Sequence, residues 1–424
     1  MWTMNVARCD HSPGRPAIGW YFHLPFCTTK CGYCDFYSLP TIPALTDGLT
    51  HALLAELSLR DPGRPVETIF VGGGTPTVLP AEALGTILRR IARRAGQVAE
   101  FTVEANPSST DELKLDLLRG CGVNRVSFGA QSFDPAELAV LERIHDPRHI
   151  FESVAAARAA GFNNINLDLI YAIPGQTVES WRNTLRRAID LGAEHLSCYA
   201  LMYEPGTSLT RLRHQGRVIP SEENTEAEMF DCTIDILTAA GFEHYEISNF
   251  ARPGRRCRAN IIYWENREYL GIGPSAVSYL DGVRRRNVPD VRRYVEAMTS
   301  DETPTRTSSI TTPPQGTSRS LLPSLQSDPC AAIIHEQEQL SPIERAGETA
   351  VQMLRLTDGV SYDRFRTITG HDAAALFADR AAEFARLGLL NADNRGFRLT
   401  RRGLLVANRV MQEFLADVPT RQSS

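Results

Sequence analysis

Three cysteines, Cys27, Cys31 and Cys34, fall within eight positions of the stretch YFHLPFCTTKCGYCDFYS (residues 21–38). Asp35 follows the last of them, and Tyr21, Phe26, Tyr33, Phe36 and Tyr37 surround the group. Three thiolates so close together grip a metal centre with one ligand fewer than the usual four. Structural zinc is one possible occupant, with Cys9 or His23 as a fourth donor, but such sites are usually built from two separated cysteine pairs. No second pair follows downstream. A redox Cys-x-x-Cys from Cys31 to Cys34 would leave Cys27 idle. A [4Fe–4S] cluster fits better, because a tight loop can hold three iron corners and leave the fourth to a ligand that is not protein.

The elements that must position this loop come from the pattern around it. Between Ile18 and Phe250, strand-like runs at 18–24, 66–71, 100–105, 123–129, 165–172, 195–202 and 244–248 alternate with amphipathic helical stretches. Pro80, Asp134-Pro135 and Thr177 supply helix-start chemistry. Strands separated by helices predict a parallel sheet with crossover connections, either a β/α barrel or a doubly wound open sheet. Unusual residues gather where the strands end: the cysteines, then GGGTPT (72–77), then Glu104-Ala-Asn-Pro, then Gly129-Ala-Gln131-Ser, then Asp168 with IPGQT. Chemistry collected on the C-terminal rim favours the barrel. The glycines of GGGTPT suit a close approach of ligand to main chain, and without a Gly-Lys-Ser/Thr ending the stretch is no P-loop.

Composition sets the outer limits. A chain of 424 residues can bury one large core and add a small second domain. A net charge of −5 gives no general attraction to nucleic acid or anionic lipid. The first residues have no apolar core of a signal peptide, and no apolar run approaches a membrane span, so the expected location is the cytoplasm with no integral membrane segment. The six scattered cysteines (Cys9, Cys121, Cys198, Cys232, Cys257 and Cys330) form no disulfide framework. The expected organisation is an N-terminal extension (1–17), a β/α unit (18–300), a flexible Ser/Thr/Pro-rich insertion (301–342) and a small winged-helix-like domain (343–417). Residues 341–424 carry 12 Arg against 10 Asp and Glu, a net of +2, so docking onto the barrel is expected rather than DNA reading.

The motifs together carry a resemblance. Cys-x3-Cys-x2-Cys with Tyr33 before the third cysteine, joined to GGGTPT, resembles the signature of the radical S-adenosylmethionine superfamily. YFHLPFCxxxCxYCDF, FVGGGTPT, VEANP, RVSFGAQSF, LERIHD, NLDLIYAIPGQT, YALMYEPGT and EHYEISNFA resemble its oxygen-independent coproporphyrinogen oxidase-like family, over roughly residues 18 to 300. The resemblance implies an α/β fold: a partial (β/α)6-type, TIM-like barrel with a small C-terminal domain. It implies a [4Fe–4S] cluster on Cys27, Cys31 and Cys34, and S-adenosylmethionine on the open iron. Tyr21 would lie beside the reactive end of that cofactor, Gly73, Gly74 and Thr75 along its methionine part, and Glu104 on its ribose hydroxyls. Gln131, Arg143 and Asp168 match positions that hold a second S-adenosylmethionine in the oxidase branch, and Ala200 is implied as a further cofactor-binding residue. An electron donor for the cluster is implied as well.

Two functions compete within the family. One is the oxidase, which converts two propionates to vinyl groups. The other belongs to a heme-chaperone branch that binds heme and passes it to heme-accepting proteins. The oxidases carry a fourth cysteine two residues after the third, where this chain has Phe36, which favours the chaperone. That branch also has a His-Asn-x-x-Tyr-Trp signature, and this chain reads Ala259-Asn260-Ile261-Ile262-Tyr263-Trp264. With Ala259 in place of the histidine, Cys257, His23 and His244 remain as heme-ligand candidates. Arg252, Arg255, Arg256, Arg258 and Arg284 to Arg286 are candidates to clamp the propionates, so residues 252–264 are the expected heme contact.

Overall fold

The structure, a computed structural model, describes residues 15–299 and 330–416. Cys9 and most of the expected insertion lie outside the described residues. Six parallel strands, β1 (Ile18–Leu24), β2 (Val66–Gly73), β3 (Glu100–Ala105), β4 (Arg125–Gln131), β5 (Ile165–Tyr171) and β6 (His195–Ala200), stand side by side in chain order. A doubly wound sheet reverses its strand order at the switch point, and here nothing reverses. The winding is that of a barrel. It stays partial, because the sheet runs on at both edges instead of closing. Past β6 lie β7 (Glu243–Glu246) and β8 (Asn249–Ala251), with β8 paired to β6. At the other edge β9 (Tyr269–Ile272) pairs in parallel with β1, followed by β10 (Val277–Leu280) and β11 (Val283–Asn287).

Crossover helices pack outside the strands, and local chemistry fixes where they begin. Pro43 opens α1 (Pro43–Arg60), while α2 (Ala81–Ala95) begins just after Pro80. Asp111 caps α3 (Glu112–Gly120), and Asp146 with His149 forms a capping box on α4 (Pro147–Ala159). Thr177 Oγ1 accepts from Ser180 N at the start of α5 (Val178–Asp190). Alternation along the strands sorts the two faces. Trp20, Phe22, Ile69, Val71, Phe101, Val103, Phe128 and Leu167 join the apolar core.

The lumen side is polar. Asn166 Nδ2 donates to Ser127 Oγ (2.7 Å) and Asp168 Oδ1 (2.9 Å). His195 bridges Asn166 Oδ1 (2.5 Å) and Tyr245 OH (2.8 Å) through its two ring nitrogens. Burial holds His195 well below the usual histidine range, so the neutral ring donates at Nδ1 and accepts at Nε2.

One expectation is corrected here. Residues 334–339, read as part of a flexible insertion, form β12 (Ile334–Gln339) on the edge of the main sheet, antiparallel to β11. The pairing rests on charge rather than apolar burial: Arg284 stands opposite Glu338 and Arg286 opposite Glu336, at 3.4 Å and 3.9 Å.

The C-terminal module begins with α6 (Pro342–Met353), whose Ser341 and Glu344 make a capping box. Three short antiparallel strands and further helices enclose a separate core around Phe365, Phe377, Phe397 and Phe414. It is fastened to the barrel. Arg401 reaches Asp231 (2.6 Å) and Asp235 (2.6 Å), and Arg355 lies 4.2 Å over the Trp264 ring. Among the described residues no helix is long and apolar enough to cross a membrane.

Candidate functional site

The C-terminal ends of the six strands surround a cavity of about 370 Å³. The cysteine loop leaves β1 and crosses its mouth. It is bolted in place: Gly32 O accepts from Leu209 N (2.9 Å) and Ser208 Oγ (3.2 Å), and Thr41 N donates to Cys27 O (3.0 Å). A Cβ at Gly32 would come within 2.7 Å of Glu142 Oε2, so a side chain there would have to displace that carboxylate. Tyr33 packs beside Leu141, Ile170 and Leu209. Cys27, Cys31 and Cys34 are half-buried and all three line the cavity. Burial raises the Cys27 and Cys34 thiols, and hydrogen bonding from Thr75 draws Cys27 partly back. Among the described residues no three His, Cys, Asp or Glu side chains converge as a cage for a single metal ion.

The wall beside the loop is a glycine cradle. Gly73 has φ +99°, and a Cβ there would meet His23 Nδ1 at 2.4 Å. Added atoms at Gly72 and Gly74 would meet Glu104 Oε2 and Phe26 O, each at 2.5 Å. The same Glu104 oxygen accepts from Gly73 N (3.1 Å). Burial first, and the charge of Asp168 second, push the Glu104 carboxyl up to about 8. Asp168 is raised as well by burial, against bonds from Ser127 (3.1 Å) and Asn166 (2.9 Å) that hold its charged form.

Opposite these carboxylates stands Arg143. Its Nη2 donates to Gly129 O (2.8 Å) and its Nη1 to Cys31 Sγ (3.3 Å), while its buried Nε has no partner. Burial works against its charge, but Tyr33 and Cys31 more than offset that. Gln131 holds φ +65°, unusual for a residue with a side chain. Beyond it, Glu137 accepts from Ser132 (2.5 Å), Gln176 (2.9 Å) and Ser180 (2.5 Å), tying the exits of β4 and β5 to α5.

The structure therefore brings Gly73, Gly74, Thr75 and Glu104 to one cavity with the three cysteines. Gln131, Arg143, Asp168 and Ala200 line it too. Tyr21 does not: its hydroxyl bonds His23 Nδ1 (3.0 Å) and its ring lies 6.2 Å from that of Phe70. Ser127, Ile144, Tyr199 and Met202 also line the cavity and were not singled out from sequence. Tyr199 and Met202 belong to the quoted YALMYEPGT, where strand alternation was the available signal.

Comparison with known proteins gives these observations a family. Residues 21–188 match the radical SAM superfamily and residues 340–406 the HemN C-terminal domain. The heme chaperone HemW of Bacillus subtilis (strain 168) is 35% identical over 406 residues, covering 94% of this chain and 99% of that one. The chain belongs to the HemW family. HemW of Escherichia coli (strain K12) is 37% identical over 280 residues, 63% of this chain and 72% of that protein. The solved coproporphyrinogen III oxidase (HemN) from Escherichia coli has the same fold, with a TM-score of 0.75 at 24% identity, covering 96% of this chain and 91% of that one.

Against the HemW background, the stretch expected to hold heme has other work at the opposite end of the barrel. Residues 258–264 form a short helix whose start is capped by Glu100, at the entrance of β3; Arg258 N (3.0 Å) and Ala259 N (3.1 Å) both donate to it. Cys257 is buried against the same carboxylate (3.5 Å). Ala259 is buried with Tyr245 and Ala251. Arg256 pairs with Glu243 and Asp358, Arg252 lies over Phe242, and Arg284 pairs with Glu338 and Glu348. His23 spends both ring nitrogens, on Tyr21 and on Tyr37 O (2.8 Å), and His244 stacks on Phe250 at 4.4 Å. Arg252, Arg256 and Cys257 of the expected contact across 252–264 are thus already engaged.

Proposed function

We propose that this protein is a cytoplasmic heme chaperone of the HemW type, holding a [4Fe–4S] cluster and S-adenosylmethionine and passing heme to acceptor proteins. One observation carries the cofactor part: three half-exposed thiols share a single cavity with a glycine cradle, two half-buried carboxylates and an arginine with a spare donor. That donor set fits the groups the family implies. Cys27, Cys31 and Cys34 would hold three iron corners. The glycines at 72–74 leave room for the amino group of a methionine moiety at the main chain. Arg143, with its orphan Nε, offers a charge-assisted bond to a carboxylate. The Glu104 oxygen not bonded to Gly73 N can accept from a ribose hydroxyl. When bound, the cluster and S-adenosylmethionine supply one-electron cleavage of a carbon–sulfur bond.

Phe36 argues for the carrier over the oxidase. It stands where the oxidases have their further cysteine and is 65% exposed at the cavity mouth. The deciding experiment reconstitutes the protein anaerobically and offers it coproporphyrinogen III and heme in parallel. Stable heme uptake without vinyl products is expected. Turnover to vinyl groups, or no heme uptake, would overturn the reading.

A further inference from the structure

The floor of the strand-end cavity rests on a line of buried polar side chains that do not reach the cavity themselves. Ser127 of β4, Asn166 of β5 and His195 of β6 stand in register on three neighbouring strands. Asn166, His195 and, on β7, Tyr245 are fully buried, and none of these three lines the cavity. Asp168, two residues beyond Asn166 on β5, does line it.

The direction of each hydrogen bond in this line follows from its upper end. An ionised carboxylate only accepts, so Ser127 Oγ donates to Asp168 Oδ2 (3.1 Å) and Asn166 Nδ2 to Asp168 Oδ1 (2.9 Å). The second Nδ2 hydrogen goes to Ser127 Oγ (2.7 Å). The Asn166 amide is thereby oriented, with its Oδ1 turned to His195 Nδ1 (2.5 Å). Because that oxygen accepts, Nδ1 carries the ring hydrogen and Nε2 accepts from Tyr245 OH (2.8 Å). Cys257 N donates to the same tyrosine oxygen (3.3 Å), which leaves the hydroxyl hydrogen for the ring. Burial and the nearby Arg125 keep a second proton off His195. Each donor in the column therefore points towards Asp168, from Cys257 at the base to the carboxylate at the cavity floor. Ser197 Oγ adds a longer bond to Asn166 Oδ1 (3.2 Å) from the side.

Resting on the S-adenosylmethionine reading above, we propose that His195 and Tyr245 are positioning residues for the cofactor cavity. They lock the Asn166 amide with both hydrogens towards Asp168 and Ser127. The carboxylate then meets a donor group of the bound cofactor, a hydroxyl or an ammonium, in one fixed orientation. Without the ring, the amide is free to turn over and set Oδ1 against the carboxylate, acceptor facing acceptor.

The test measures S-adenosylmethionine affinity of the cluster-loaded protein by equilibrium dialysis, with stability followed separately by thermal denaturation. His195→Leu fills much of the space of the ring and donates nothing. It should weaken binding by roughly two- to tenfold, the worth of one hydrogen bond, with cluster iron complete. His195→Asn places an amide NH2 near the former Nδ1–H and should recover most of that affinity, although it leaves a void and is the less stable variant. A role in packing alone predicts the opposite order of affinities. Tyr245→Phe frees the ring to change tautomer and should fall between wild type and His195→Leu. Nitrogen NMR of the wild-type ring should show hydrogen on Nδ1 and none on Nε2. If the wild type binds S-adenosylmethionine and His195→Leu binds it equally well, the proposal falls while the cofactor reading stands. The same holds if His195→Asn is the weaker binder, or if the ring hydrogen sits on Nε2. Should His195→Leu not fold, unchanged affinity in Tyr245→Phe overturns the proposal. If the cluster-loaded wild type binds no S-adenosylmethionine, the cofactor reading falls and takes the proposal with it.

Discussion

The two ends of the barrel use the same side-chain types for opposite purposes. At the base, Cys257 is 1% exposed and bonded to Glu100, Arg256 has two carboxylate partners, and Trp264 lies under Arg355. At the mouth, three cysteines are half-exposed, Arg143 keeps an unpartnered Nε, and Phe36 and Met202 face water. Thiol, guanidinium and aromatic ring occur at both. The difference is exposure: the base seals its thiol and the mouth leaves three open to a cavity.

The sharpest way to break this contrast is through the cysteines. Changing Cys27, Cys31 or Cys34 singly to serine should remove essentially all cluster iron and its visible absorbance after anaerobic reconstitution. Cys257→Ser should leave iron and sulfide at the wild-type level. Iron lost equally from Cys257→Ser, in a protein that still unfolds cooperatively, would erase the distinction. Next in size is Glu100→Ala. It removes the cap of residues 258–264 and a negative charge beside the buried Arg125. Uncovering a buried charge costs about 3–5 kcal/mol, readable by denaturant titration, and cluster content should be unchanged once the variant is folded.

How much of this could be read beforehand follows the same division. The barrel strands were legible because each is buried on both faces: Ile18–Leu24 and Glu100–Ala105 match the observed bounds. The cysteines, the glycines and the strand-end carboxylates were legible because few residue types do that work at that spacing. The strands at one edge were not. Val283–Asn287 and Ile334–Gln339 are polar, partly exposed and matched by cross-strand charge, which leaves no apolar alternation to detect. The engagement of Arg252, Arg256 and Cys257 was not legible, because residue type does not disclose whether a partner from a distant segment has already claimed the side chain. Phe36 and Met202 had the reverse problem, since nothing in a motif says that an apolar residue will be left in water.

A smaller effect tests the mouth through pH. Glu104 titrates near 8 in the folded protein, against an ordinary 4.5. Between those values the folded state binds more protons than the unfolded one, so this carboxyl makes stability fall as pH rises through the window. The ligand-free protein should accordingly lose stability from about pH 5 to pH 8, and Glu104→Gln should flatten that slope. An unchanged slope in the variant would mean that Glu104 is as well solvated as a surface carboxylate, and the mouth less distinct from its surroundings than claimed.

The smallest effect probes the base. Arg256 joins Glu243 of β7 to Asp358 of the C-terminal module through pairs of 2.9 Å and 3.3 Å, with its guanidinium 5.8 Å from the centre of the Tyr245 ring. Its side chain is over a third exposed, so water and salt screen both pairs. Arg256→Ala should cost only about 0.5–1 kcal/mol, and the loss should shrink as salt is added. Heme affinity should not move at all, because this guanidinium is already taken by two carboxylates. A tenfold loss of heme affinity in Arg256→Ala would mean that those pairs open to receive a propionate, and that the base is where the macrocycle rests.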